Sequence, residues 1–276
     1  IKAFEHFQEA IRASEKAGNQ SILNSTKLNL ARYYIRLHDY SGAIDLFQDL
    51  LDYYTIESSP ATLGMVYIGL AEAQMGINQS DSSKYYLDKS LEALLPTNYK
   101  KGISEAYYLL GSYHLHQMEY QKALDSYDLA IDYAKTLKGT QWGNLRGKAR
   151  VYLEMGDYEK AISYASESMD SPEFSESVNN LAARYEILYG AYKAMNQSSK
   201  ALHYLELMNE EKAKLFSEDH ALEIARLEYQ NHLELENARR KELAKNQEFE
   251  RLEESKNQKV IQIVLIITVI IVSAIS

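Results

Sequence analysis

Apolar and small residues recur at helical spacing along the first 216 residues of the chain. Ala123 and Tyr127, for example, stand four positions apart, a spacing that places them on one stripe of an α-helix. The three prolines, Pro60, Pro96 and Pro172, fall between such segments, where a helix has to stop. The pattern therefore predicts an all-α structure.

A small residue also returns at a nearly constant interval of 38 to 40 residues. These positions are Ala3, Ala43, Ser83, Ala123, Ala161 and Ala201. Small residues at facing positions let two helices approach closely, and larger residues four positions away fill the space beside the contact. We therefore predict units of two antiparallel helices, which have to stack because a single unit cannot bury its apolar face.

The third unit carries the clearest set of recurring columns: Tyr107, Leu110, Gly111, Tyr120, Ala123, Tyr127 and Ala130. These columns resemble the tetratricopeptide repeat, whose usual period is about 34 residues. The fourth unit departs from the pattern at Lys148 and Ala165, and the fifth at Tyr189. The resemblance implies an α-α superhelix, with longer helices or looser loops than usual.

We divide the chain into three segments. Residues 1–216 form the solenoid, with the second helix of a truncated unit followed by five units starting near 24, 64, 104, 142 and 182. Residues 217–259 form a capping helix and charged stalk, and residues 260–276 form a transmembrane helix that the end of the chain cuts short.

The charged stalk has two interpretations. A weak heptad predicts a coiled-coil homodimer through residues 229–259, although two of its six apolar positions are charged, Glu242 and Lys245. The alternative is a solitary solvated helix held by opposite charges one turn apart, such as Glu236 and Arg240.

Residues 260–276 contain no charged side chain. Their length is near the lower limit for a span, which needs about 20 apolar residues. They predict a membrane helix with the bilayer as a partner, and a buried core helix is the alternative. We expect a single-pass membrane protein with periplasmic repeats; cytoplasmic repeats are the alternative, favoured by the basic residues that precede the span.

The composition excludes several classes of function. A net charge of −9 argues against a nucleic-acid partner for this segment. The chain has no cysteine, so it has no disulfide framework and no thiolate metal site. The sequence contains no nucleophile motif, phosphate loop or zinc spacing. We expect a non-catalytic segment without cofactor or metal, while a kinase domain beyond residue 276 would make the whole protein an enzyme.

In the family that this chain resembles, the first helix of each unit lines an inner wall. The resemblance implies wall positions at Leu28, Arg32, Ile35, Arg36, Tyr108, Ser112, Leu115, Arg146, Arg150, Glu154, Glu186 and Lys193. From these we select Arg32, Arg36, Tyr108, Arg146 and Arg150 as a groove for a protein or peptide. Arg146 and Arg150 stand one turn apart and could hold a peptide carboxylate; alternatively they pair with acids on the wall, such as Glu154.

The order of repeats, charged helix and apolar segment resembles bacterial membrane signalling proteins. Those carry periplasmic tetratricopeptide repeats and a cytoplasmic histidine kinase or helix-turn-helix output domain, and residues 225–237 carry the resemblance here. It implies a sensor that relays partner binding through the stalk to an output domain beyond residue 276. The alternative is a tail-anchored scaffold that assembles protein complexes.

Overall fold

The computed structural model describes residues 2–55, 59–137, 141–168, 178–214, 239 and 241–258. Its helices are α1 (Lys2–Lys16), α2 (Gln20–Arg36), α3 (Tyr40–Leu51), α4 (Pro60–Gly76), α5 (Ser80–Leu94), α6 (Lys100–His116), α7 (Tyr120–Ala134), α8 (Gln141–Met155), α9 (Tyr158–Glu167) and α10 (Val178–Ala194). Residues 198–214 (α11) and 241–258 (α12) are also helical. These ranges contain no strand, which confirms the all-α prediction.

A short turn with one left-handed residue joins the two helices of each pair. These residues are His38, Asn78, Met118, Gly156 and Asn196, with φ between 56° and 81°. After α2, the backbone N–H of Asp39 donates to the carbonyl of Tyr34 at 2.9 Å, and the Asp39 carboxylate accepts from the N–H of Gly42 at 3.0 Å to cap α3. So short a connection makes consecutive helices pack as antiparallel neighbours.

Three of the recurring small residues lie inside the packed helix pairs. Ala43, Ala123 and Ala161 are completely buried. A glycine makes a close contact between neighbouring pairs: a Cβ on Gly69 of α4 would lie only 2.1 Å from Cζ of Phe47 on α3. The ring of Phe47 therefore packs directly on the backbone of α4, an approach that only a residue without a side chain permits.

Stacked tyrosines add a second contact inside successive helix pairs. The ring pairs are Tyr67–Tyr86, Tyr107–Tyr133, Tyr152–Tyr164 and Tyr192–Tyr204, with centroids 5.4 to 6.1 Å apart. The ammonium of Lys148 lies 4.6 Å above one ring of the third pair, and that of Lys160 lies 5.0 Å above the other. Tyrosine suits these thin layers because its ring is apolar and its hydroxyl reaches water.

The first helices of successive pairs form one continuous layer. Helix α2 packs on α4, α4 on α6, α6 on α8 and α8 on α10. Beneath this layer, Ile68, Leu87 and Ile103 belong to one buried cluster that joins two neighbouring pairs. The open side of the layer carries the candidate site.

The predicted localisation is wrong for the part of the chain that the structure describes. None of the described helices combines the length and apolar character needed to cross a bilayer. Helix α4 has 17 residues and packs its apolar side chains into the core, and α12 carries nine charged residues, whereas a span needs about 20 mostly apolar residues. This finding corrects the prediction of a single-pass membrane protein with periplasmic repeats. Residues 217–238 and 260–276, predicted as capping helix and span, lie outside the described residues.

Candidate peptide-binding groove

Two depressions lie side by side on the layer of first helices, and we call the surface that contains them the groove. Depression one has a volume of about 350 Å³ and is lined by Arg32, Lys101, Ser104, Glu105, Tyr108, Gly143 and Asn144. Depression two has a volume of about 480 Å³ and is lined by Tyr108, Ser112, Leu115, Tyr127, Arg146, Gly147, Arg150, Ala183, Glu186 and Ile187. Tyr108 borders both, so one extended ligand could occupy the two depressions together.

An ion pair between non-adjacent helices borders depression one. Arg32 on α2 donates to the Glu105 carboxylate on α6 over 3.1 Å, passing the intervening helix α4. Glu72 on α4 belongs to the same electrostatic cluster. Its pKa is raised, first by loss of hydration and then by the charge of Glu105, while Arg32 acts in the opposite direction. This part of the groove therefore presents charges of both signs.

Depression two is centred on the two arginines of α8. Arg146 donates to the hydroxyl of Tyr108 over 3.1 Å. Arg150 donates through Nη1 to Glu186 over 2.8 Å and lies 3.3 Å through Nε from Glu154. The hydrogen bond from Arg150 lowers the pKa of Glu186, so this carboxylate is ionised at neutral pH.

A buried tyrosine supports the floor between the two arginines and α6. Tyr127 is 2% exposed, and its hydroxyl shares a hydrogen bond with Ser112 over 3.1 Å. A Cβ on Gly111 or Gly147 would lie 2.7 or 2.5 Å from its ring, so both glycines are needed to admit it. Burial raises the pKa of Tyr127, which keeps the hydroxyl protonated as a hydrogen-bonding group.

A third guanidinium lies behind the wall. Arg184 on α10 is only 1% exposed. Burial, and then the positive charge of Arg146, lower the pKa of Arg184 to about 10. The two like charges therefore repel each other across the wall.

The structure places four of the five predicted site residues on the depressions. Arg32 lines the first, Arg146 and Arg150 line the second, and Tyr108 lines both. Arg36 is exposed at the last residue of α2 and lines neither depression. The alternative interpretation of Arg150 was an ion pair with an acid on the wall, such as Glu154. The structure contains that ion pair, and it also contains a shorter one between Arg150 and Glu186.

Sequence reasoning missed part of depression one. Lys101, Ser104 and Glu105 line it together with Tyr108, and they stand three to seven positions before that residue on the same helix. This spacing places them on the same face of α6. Extending the face from Tyr108 toward the start of its helix would have found them.

The groove offers hydrogen-bond donors, acceptors and apolar surface. Within the described ranges no group of three or more His, Asp or Glu side chains is placed to hold a metal ion. What the described residues can do is recognise charged and apolar groups of a ligand that lies across several helices.

The stacked helix pairs define the class of helical-repeat proteins. Residues 102–173 match the family model described as tetratricopeptide repeat. No curated protein matches the sequence.

Solved structures provide the other comparison. The chain is similar to BtubC (BKLC) from P. vanneervenii, with 14% identity, 76% of this chain and 90% of that chain covered, and a TM-score of 0.62. It is also similar to PilW, a type IV pilus biogenesis factor, with 17% identity and a TM-score of 0.55; the match covers 74% of this chain and 83% of PilW. A putative kinesin light chain with TPR-like repeats from Podosopora anserina matches with 17% identity and a TM-score of 0.51; the match covers 70% of this chain and 96% of that chain. At these identities the likeness concerns the fold alone, and it agrees with the tetratricopeptide repeat that residues 102–173 match.

Proposed function

We propose that this chain is a protein-interaction scaffold that binds an extended peptide segment of a partner in the groove. The observation that carries the proposal is the pair of adjacent depressions that share Tyr108 and are lined from α2, α6, α8 and α10. Tetratricopeptide arrays use such surfaces for extended ligands. Hydrogen-bonding groups beside apolar floor residues suit a peptide, which presents backbone amides and side chains of both kinds.

A selection from random peptides displayed on phage tests the proposal with a defined probe. Peptides are selected on the wild-type protein and then measured against the double variant Arg146→Glu/Arg150→Glu. The two arginines offer charge-assisted hydrogen bonds of about 1.5 kcal/mol or more each, so we expect affinity to fall by a factor of about 100 or more. The far-ultraviolet circular dichroism of the variant should match the wild type.

The matched control reverses the same number of charges away from the groove. Lys84 and Lys89 on α5 each hold an acid of the same helix one turn away, at 2.6 and 2.7 Å. Their exposures of 34% and 37% resemble the 39% of Arg150. Lys84→Glu/Lys89→Glu should therefore bind the selected peptides as the wild type does. Peptides that bind all three proteins equally, or no enrichment at all, would refute the groove as the binding surface.

Homodimerisation through residues 229–259 is a separate proposal about assembly. In α12, Leu243, Phe249 and Leu252 are 56 to 66% exposed, and a second copy of the helix would cover them. Sedimentation of the full chain at several concentrations tests it, with a concentration-independent monomer mass as the contrary result. A sensor function would need such a stalk to relay binding, but we propose no membrane step because the predicted localisation was wrong.

A further inference from the structure

We infer that depression two is the specificity pocket of the groove for a carboxylate that stands beside an apolar residue of the peptide. In the free protein, the side chain of Glu186 occupies the position of that carboxylate on Arg150. The inference rests on the proposed function and specifies the ligand class and the internal competitor of the same site.

The charges that line depression two favour an acidic ligand. Two of its lining side chains, Arg146 and Arg150, are cationic, and one, Glu186, is anionic. A ligand carboxylate therefore meets more positive than negative charge among the groups that line this pocket.

Arg150 holds its present acids in a way that a ligand can improve. It contacts Glu186 through Nη1 at 2.8 Å and Glu154 through Nε at 3.3 Å, so its donors are divided between two carboxylates. Guanidinium binds one carboxylate best when two parallel hydrogen bonds go to the same group. A peptide carboxylate that approaches from the open side could take both bonds and complete that geometry.

The internal acid is replaceable because it is half open to solvent. Glu186 and Arg150 are 40% and 39% exposed, and ion pairs of this kind contribute little net stability. Lys212 lies 3.6 Å from the second oxygen of Glu186. On displacement, Glu186 therefore keeps a basic partner and water, so its release from Arg150 carries a small penalty.

The floor of depression two accounts for the apolar neighbour. Leu115, Ala183 and Ile187 line it beside the charged groups. A peptide with an acid alone would leave this surface exposed, and burial of an adjacent apolar side chain adds affinity. The pocket therefore selects an acidic residue that has an apolar residue next to it.

Fluorescence anisotropy with a peptide selected on the wild-type protein tests the inference. Glu186→Gln keeps the size of the side chain and removes its charge, so we expect affinity to rise about fivefold, the effect of one exposed ion pair. Glu92→Gln is the control, because Glu92 pairs with Lys89 at 2.7 Å on α5, away from the groove. It should leave affinity unchanged.

Variants of the peptide identify the carboxylate. If the pocket binds an acidic side chain, replacing the Asp or Glu of the peptide by Asn or Gln should weaken binding to the wild-type protein about tenfold or more. If it binds the C-terminal carboxylate, amidation of the peptide terminus should have that effect instead. Either result supports the inference. Groove-dependent peptides that bind without any carboxylate, or a Glu186→Gln protein that binds no tighter, would overturn it and leave the proposed function in place. An absence of groove-dependent peptides would instead refute the proposed function.

Discussion

Replacing Gly69 by alanine probes a close contact between helices α3 and α4. The new Cβ would lie 2.1 Å from Cζ of Phe47 and 2.5 and 2.6 Å from its two Cε atoms, whereas packed carbon atoms stand about 3.5–4.0 Å apart. The ring of Phe47 is 0% exposed, so it is enclosed by other side chains and cannot turn out into solvent without disturbing them. Helices α3 and α4 would have to separate by about 1 Å or more.

The magnitude follows from two opposing effects. Overpacking of this kind costs about 1–3 kcal/mol, and a contact this short belongs at the upper end. Alanine in place of glycine inside a helix normally stabilises by about 1 kcal/mol. We therefore expect Gly69→Ala to lower the free energy of unfolding by about 2 kcal/mol, measured by urea denaturation followed by circular dichroism.

A second glycine provides the control. At Gly143 on α8, the new Cβ would meet only the ring of Tyr108, at 3.7 Å, which is ordinary contact. Gly143→Ala should therefore leave stability unchanged or raise it by up to about 1 kcal/mol. Adding Phe47→Leu to Gly69→Ala should recover about 1 kcal/mol relative to the sum of the single effects. A Gly69→Ala protein as stable as the wild type would refute the argument.

Two further predictions concern the turn after α6 and the acid of depression two. Met118 has a left-handed φ of 60° and a side chain that is 74% exposed. Because glycine adopts this φ without strain, Met118→Gly should raise the free energy of unfolding by about 0.5–1 kcal/mol, and a decrease would contradict this reasoning. Leu129 is exposed inside α7, so the control Leu129→Gly should lower the free energy of unfolding by about 1 kcal/mol. The hydrogen bond from Arg150 lowers the pKa of Glu186 in the folded protein below its ordinary value of 4.5. The ion pair therefore stabilises the fold at pH values above 4.5, and this stabilisation is lost as the pH falls through the folded pKa. Because the pair is exposed, the loss should stay below about 1 kcal/mol, and urea denaturation at several pH values should give a flatter acid limb for Glu186→Gln.

The groove shows how far local spacing reaches. Arg146 and Arg150 were placed on one face because they stand four positions apart in one helix, and both line depression two. The same reasoning offered Glu154 as an acid for Arg150, and the structure has that contact at 3.3 Å. Contacts between residues of one helix depend only on helical periodicity, so they can be derived from the sequence.

Partners on different helices could not be derived in this way. Arg32 meets Glu105, which is 73 residues away, and Arg150 meets Glu186, which is 36 residues away. Which side chains meet depends on the distance and rotation between neighbouring first helices, which in turn depend on the packing of rings such as Phe47 on Gly69. Spacing within a single helix contains no information about that rotation.

Taken alone, the sequence determined that the chain is helical, that small residues recur where helices pair, and that basic residues share the face of α8. These properties follow from periodicity and side-chain size within each helix. Other relations became visible only in the folded chain: Tyr108 borders both depressions, Glu186 forms an ion pair with Arg150, and Arg184 is buried near Arg146. Those relations arise between helices, where packing geometry sets the distances.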